Sequence, residues 1–344
     1  MNLNRYMKKN ILITNDDGIS SSGLLAVNEA VKDLGKTIII APSKQRSGIG
    51  HAITFMEPVR IDKVKLINGD IGYSISGTPS DSVLLGVYEI LDEKPDLVIS
   101  GINIGYNIGK AELTTSGTLG AAIETASYGI PTIAVSQSVD DSYKYYENGY
   151  GDVDFSFAIK ILNKIAKKVL KSGLPEGVDL LNLNIPSNPR TEDIKIAKLT
   201  PRMYSPYVTS KLDPRGKPYY WIDGNPIEND EEGTDGYYIK KEQVSTLTPL
   251  TLDFAKNFKL PIEYYITFSE FKNYTLEDII ASISMFGLAM NQDYSMQTWY
   301  EYTEKILGKE MAQKIIQYRD EGFPFYNATT VSYTHLTLPT NREV

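Results

Sequence analysis

The sequence predicts an α/β fold, a Rossmann-like three-layer α/β/α arrangement built on a mainly parallel sheet. That class follows from two patterns. Short apolar runs of the kind buried on both faces recur at 11–14, 37–41, 97–99, 131–136 and 180–185. Stretches with apolar residues at helical spacing lie between them, at 19–34, 82–91, 117–128 and 154–171. Strands alternating with helices argue for parallel strands covered on both sides.

The elements follow in order. Ile11 to Thr14 is a strand that ends in the turn residues Asn15-Asp16-Asp17-Gly18. Residues 19–34 place Leu24, Leu25, Val27, Ala30, Val31 and Leu34 on one helical face. Thr37 to Ala41 is a second strand, stopped by Pro42, and a polar, glycine-containing loop runs on through Gly50. Residues 52–55 and 58–66 read as a hairpin pair, and 71–75 as a further strand. Ser80 and Asp81 suit the cap of a helix over 82–91. Leu97-Val98-Ile99 is a third buried strand, followed by a loop rich in glycine and asparagine from Gly101 to Gly109. Gly117 to Tyr128 reads as helix, Pro131 to Ser136 as strand, and Leu180 to Ile185 as strand. Phe155, Ala158, Ile161, Leu162, Ile165 and Val169 make 154–171 an amphipathic helix. Residues 190–250 are rich in Tyr, Pro and Gly with short strand-like runs, which predicts hairpins projecting from the sheet. Residues 259–330 read as a C-terminal helical extension with no assigned function, in which Thr275 and Asp278 resemble a capping box opening a helix over 276–290, with further helical stretches near 295–307 and 309–319.

Composition narrows the function. The chain has 344 residues, 42% hydrophobic and 23% charged, which excludes wholesale disorder and allows two domains, or one α/β domain with an appendage. No apolar run approaches the roughly 18 residues of a membrane-spanning helix, so no membrane partner is expected. Cysteine is absent, which excludes a disulfide scaffold, a thiolate nucleophile and cysteine-held metal. The two histidines, His51 and His335, cannot build a three-histidine zinc site, so any metal is expected on oxygen ligands. A net charge of −8 is a poor match for a nucleic-acid duplex. Lys8 and Lys9 precede only Ile11-Leu12-Ile13, shorter than the roughly 7–15 apolar residues of a secretory leader, so a cytoplasmic location is expected. Met7 is a candidate second start. Residues 331–344 read as the translation of a transposase sequencing-library adapter, which sets His335 aside and leaves His51.

The residues able to do chemistry lie in loops after successive strands, which gather at one edge of a parallel sheet. Asp16 and Asp17 are adjacent carboxylates beside a turn glycine, an arrangement that a shared hard cation relieves. The same tetrapeptide also suits a turn and helix cap. Arg46-Ser47-Gly48-Ile49-Gly50-His51 combines a hydroxyl with glycine amides, suited to a phosphate or a metal shell, or to a surface loop. Gly101 to Gly109 carries Asn103 and Asn107 but does not open directly into a helix, so it is not the dinucleotide fingerprint. Thr115-Ser116-Gly117-Thr118 enters a helix, where amides and hydroxyls serve an anion or an ordinary cap.

These motifs together resemble the SurE (survival protein E) 5′-nucleotidase family. The likeness rests on Ile11 to Ile19, Ala41 to Ile53, Ser76 to Ser82, Pro95 to Gly109 and Ser116 to Ala122, with Val244 to Phe254 similar to the family's closing strand. It spans roughly 7–256, with 190–250 as the hairpin and oligomerisation region. The resemblance implies a metal-dependent phosphomonoesterase acting on nucleoside 5′-monophosphates, with 3′-monophosphates a further class. It places one divalent cation, Mg²⁺ or Mn²⁺, on Asp16, Asp17, Ser47 and Asn103. It assigns Asn107 and the turn Ser116-Gly117-Thr118 to the phosphate, with Ser47 and Gly48 beside them. Thr115 and Leu119 depart from the family's usual Tyr and Val, and neither is a ligand. Asp16, Asn107 and Ser116 are the candidate catalytic residues. His51 can protonate the leaving oxygen or serve the local structure, and Arg46 can offset phosphate charge or remain solvated. A homodimer or homotetramer is implied, with Tyr219, Tyr220, Trp221, Tyr237 and Tyr238 as amphipathic surface suited to an interface.

Three rivals accompany that expectation. A haloacid-dehalogenase-type phosphatase needs its two acids one residue apart, whereas Asp16 and Asp17 adjoin. A nucleotide-binding relative with no catalysis is the second. Exopolyphosphatase activity is the third, and it is compatible with the first reading.

Overall fold

The computed structural model describes residues 9–139 and 153–254, with Lys309 and Gln313 as isolated helical positions. The chain divides into two compact units, Met1–Phe254 and Ala255–Val344. The expected helices over 276–290, 295–307 and 309–319, Met7 and the 331–344 tail lie outside the described residues, those two positions apart.

The first unit is organised by strands β1 (Asn10–Thr14), β2 (Lys36–Pro42), β3 (Ile61–Lys65), β4 (Ile71–Ile75), β5 (Leu97–Ile104), β6 (Thr132–Gln137), β7 (Leu180–Ile185), β8 (Ile194–Ile196) and β11 (Ser245–Leu250). They form one nine-stranded sheet in the order β3-β4-β2-β1-β5-β6-β7-β11-β8. The run β4-β2-β1-β5-β6-β7 is parallel throughout. Among the described residues of this sheet, only β3 against β4 and β11 against β7 are antiparallel. The chain therefore builds outward from β1 to one side, then crosses back to begin the other side with β5. That reversal is the switch point at which open α/β sheets bind ligands.

Side chains along a strand alternate between faces, and β1 shows the consequence. Ile11 and Ile13 join the core that packs helix α1 (Ser22–Val31) and helix α5 (Ser156–Ser172), through Leu24, Val27, Ile161 and Leu162. Leu12, between them, joins Ile40, Val98 and Val83 on the other face. There helix α2 (Pro79–Leu85) and helix α4 (Gly117–Ser127) pack, the latter partly through Leu119 and Ala122 against Ala134 and Leu180. Central strands are apolar on both faces because both are covered.

Several boundaries differ from expectation. Residues 52–55 form no strand, and the partner of β3 is β4, paired Ile61 to Ile75 through Lys65 to Ile71. The cap of α2 is Thr78 rather than Ser80 or Asp81. Thr78 Oγ1 accepts from the Asp81 amide at 3.1 Å while Asp81 Oδ2 accepts from the Thr78 amide at 2.8 Å, with Pro79 at the first helical position. A widened π-type turn, Gly86–Ile90, continues α2. β5 runs on to Ile104 through the first residues of the expected loop, with a shift in its pairing to β6 between Ser100 and Asn103. Two further helical pieces, α3 (Glu112–Thr115) and α6 (Asp235–Tyr237), are too short to show periodicity.

Of the expected hairpins one projects: β9 (Tyr204–Leu212) and β10 (Pro218–Pro226) form a separate two-stranded ribbon. The rest of 190–250 joins the main sheet through β8 and β11.

Candidate active site

β1 and β5 are paired to their ends, with Thr14 opposite Ser100. The segment after β1 and the continuation of β5 therefore emerge side by side at the C-terminal edge of the sheet. Asp16 and Asp17 lie on the first, Asn103 on the second.

Asp16 is 3% exposed. The Thr118 hydroxyl donates to its Oδ1 at 2.6 Å. Burial pushes the Asp16 carboxyl upward, and the bonds from Thr118 oppose that. Asp17 is pushed up to about 7, by burial first and by the charge of Asp16 second, against a bond from the Ile104 amide. Asp17 Oδ2 is buried and has no protein partner. Two crowded carboxylates with an unpartnered buried oxygen are costly alone and suited to a cation, which fills the lone pair and removes the repulsion.

The loop after β2 is fastened beside them. The Arg46 amide donates to the Asp16 carbonyl at 2.7 Å, which sets Ser47 one residue from that bond. Ser47 is exposed and its Oγ accepts from Gln45 Nε2 at 3.0 Å. Gly48 is also exposed, at φ +71°. The Arg46 guanidinium donates to the Ser76 carbonyl at 2.8 Å, so it is tied to the neighbouring segment. Asn103 donates through Nδ2 to the Gly105 carbonyl at 3.0 Å, which leaves its amide oxygen as the group for a cation. Among the described residues no cluster of three or more His, Asp or Glu is suited to a metal. A site here draws on two carboxylates and neutral oxygens, the donor set of a hard cation.

Helix α4 begins at the same place. Its cap, Ser116, accepts from the Leu119 amide at 3.2 Å. Gly117 is required by space: a Cβ there would sit 2.7 Å from Asp16 Cβ and 3.0 Å from Ile49 Cγ2. The Asp16 carboxylate thus rests on the first turn of α4, whose dipole and amides favour negative charge. The Thr118 hydroxyl is committed to Asp16, so this residue shapes the carboxylate.

Asn107 is drawn further inward than its motif suggests. It is 5% exposed, and its Nδ2 donates to Ser136 Oγ at 2.8 Å. Its amide donates to Asn184 Oδ1 at 2.9 Å, and its carbonyl accepts from Asn182 Nδ2 at 2.8 Å and Asn184 Nδ2 at 3.1 Å. One Nδ2 hydrogen remains for a ligand.

His51 is placed by a residue the motifs did not single out. Its Nε2 lies 2.5 Å from Oε2 of Glu124 on α4, and Tyr128 donates to the other carboxylate oxygen. The Gly50 amide donates to the Thr115 carbonyl at 2.9 Å. The loop carrying Ser47 is therefore held to the end of α3 through its backbone and to α4 through the His51 side chain. Glu124 sat in the expected helix with no local signal beyond its charge, since its partner is 73 residues away.

The chain is also similar to known proteins. Residues 11–206 match the family described as Survival protein SurE. The chain is 54% identical over 253 residues to the 5′-nucleotidase SurE of Methanobrevibacter smithii, covering 74% of this chain and 98% of that protein. It is 56% identical over 220 residues to the 5′-nucleotidase SurE of Methanothermobacter thermautotrophicus, covering 64% and 84%. Among solved structures, the crystal structure of the SurE protein from Aquifex aeolicus matches with a TM-score of 0.59 at 39% identity, covering 71% of this chain and 94% of that one.

Proposed function

The chain belongs to the SurE family, and from that premise we propose that it is a metal-dependent phosphomonoesterase that hydrolyses nucleoside 5′-monophosphates to nucleoside and phosphate. The observation that carries this is the Asp16–Asp17 pair, with Asp16 buried against the first turn of α4 and one buried oxygen of Asp17 unpartnered. Asp16, Asp17, Ser47 and Asn103 would hold one Mg²⁺ or Mn²⁺, which supplies Lewis-acid polarisation of the phosphoryl group and of the attacking water.

The chain's own residues supply the rest. Ser116, the Gly117 and Thr118 backbone and the free Nδ2 hydrogen of Asn107 would receive the phosphoryl oxygens, whose charge grows as the ester bond breaks. Ser47 and Gly48 would close the opposite side on a loop already fixed by Arg46 and His51. Asp16 would take the proton of the attacking water as general base. Nδ1 of His51 remains for the leaving oxygen, because Nε2 is committed to Glu124. Among the described residues no helix is long and apolar enough to cross a membrane. The cytoplasm, where nucleoside monophosphates are made, is the proposed compartment.

We also infer a homo-oligomer. The β9–β10 ribbon presents Val208 62%, Trp221 63% and Ile222 81% exposed. Apolar surface of that extent is suited to burial against a second copy.

Phosphate release from AMP, GMP, CMP and UMP, their 3′-isomers and polyphosphate, with Mg²⁺, Mn²⁺ or EDTA, tests the reading. Activity is expected on 5′-monophosphates with metal, and loss in EDTA and in Asp16→Ala. Activity surviving either one sinks the mechanism.

A further inference from the structure

Asp235 belongs to none of the motifs above, yet it reaches the ligand loop. It is completely buried, and its carboxylate accepts three backbone amides. Oδ1 takes Thr200 at 2.7 Å and Gly236 at 2.8 Å, and Oδ2 takes Gly109 at 2.9 Å. Gly109 closes the turn that carries Asn107 and that follows directly on Asn103 at the end of β5. Thr200 precedes the exposed β9–β10 ribbon. The backbone repeats the link, with the Lys110 amide on the Thr200 carbonyl at 2.9 Å and the Asp235 amide on the Lys198 carbonyl at 2.8 Å. Gly109 takes φ +96°, and a Cβ there would meet Thr200 Cγ2 at 3.0 Å, so the two segments lie flush.

Nearby Asp230 makes a different connection. Its Oδ1 accepts from Thr200 Oγ1 at 2.6 Å and its Oδ2 from Lys240 Nζ at 2.8 Å. It fastens the root of the ribbon and makes no bond to the loop.

We propose that Asp235 is a positioning residue for the reaction. It fixes the Gly109 end of the ligand loop to the root of the projecting ribbon, and so sets where Asn103 and Asn107 stand. This rests on the reading of that loop as the metal and phosphate side of the site. The carboxylate is needed because Gly109 and Thr200 are served by different oxygens. An asparagine has one acceptor oxygen, so its NH₂ would face one of the two amides, donor against donor. Residues that orient ligands from behind typically change metal affinity or activity about 10- to 100-fold when altered.

The test compares Asp235→Asn with Asp230→Asn in the full chain. Asp235→Asn is expected to lower kcat and weaken Mn²⁺ binding by calorimetry, each within about 10- to 100-fold, while keeping the oligomeric state. Hydrogen exchange at Gly109 and Lys110 should accelerate. Asp230→Asn should keep wild-type kcat and Mn²⁺ affinity. Wild-type kcat and Mn²⁺ affinity in Asp235→Asn overturn the proposal, as does an equal loss in both variants tracking their Tm. Should Asp235→Asn not fold, Asp235→Glu moves the carboxylate by one methylene. A folded Asp235→Glu with low kcat supports positioning, and one with wild-type kcat overturns it. A wild-type chain that binds Mn²⁺ but hydrolyses no monophosphate defeats the functional reading alone, and Asp235 is then judged by Mn²⁺ affinity and amide exchange.

Discussion

The Thr118 hydroxyl donates to Asp16 Oδ1 at 2.6 Å, across 102 positions of sequence. That bond joins the first turn of α4 to the loop after β1, and it holds one carboxylate of the proposed cation site in a single orientation.

Thr118→Val keeps the shape and removes the donor. Hydrogen bonds to charged groups contribute about 1.5–3 kcal/mol. The variant is expected to bind Mn²⁺ more weakly at neutral pH, because Asp16 loses a bond that holds its pKa down. Calorimetric Mn²⁺ titration checks this, and unchanged affinity contradicts it.

The Asp16–Asp17 pair should make the metal-free protein sensitive to pH. Asp17 titrates near 3.8 when unfolded and about 7 when folded. Below about pH 3.8 both states are protonated. Between there and about 7 the folded chain keeps a proton that the unfolded chain has lost. This group's contribution to stability therefore falls as pH rises, by about 1.4 kcal/mol per unit within that window, and is constant above it. Mn²⁺ needs both carboxylates ionised, so it should raise Tm more at pH 8 than at pH 5. An equal or larger rise at pH 5 would contradict this.

Gly117→Ala tests the seating of Asp16 on α4. The added methyl has 2.7 Å to Asp16 Cβ, where no ordinary contact is possible. Overpacking of this kind costs about 1–3 kcal/mol. Tm and kcat should both fall, and an alanine variant with wild-type kcat would show that the carboxylate can be displaced without harm.

Trp221→Glu combined with Ile222→Glu should shift the chain toward monomer in light scattering while its circular dichroism is kept. Both side chains are more than half exposed, so the change disturbs no core. An unchanged mass would mean that the ribbon is not the interface.

Much was legible because it is local. Apolar runs at strand length and helical spacing in α1, α4 and α5 followed from which residues must leave water. Adjacent Asp16 and Asp17 announced a charge problem without any coordinates. The ends of elements were less legible, as at Thr78, because a cap is decided by one side chain meeting one amide. Residues 52–55 have strand-like composition, but they are held by other bonds: the Thr54 amide and hydroxyl donate to Asp81 at 2.9 and 2.6 Å.

The sequence by itself determined the alternation of strands and helices, the oxygen-rich character of the site and the loops that carry it. Only the tertiary structure decided that Glu124 holds His51 and that Asp235 spans Gly109 and Thr200. The physical reason is distance along the chain. A pattern of burial is written in neighbouring residues, whereas a buried carboxylate finds donors 73 or 126 positions away only once the sheet has ordered the loops at its edge.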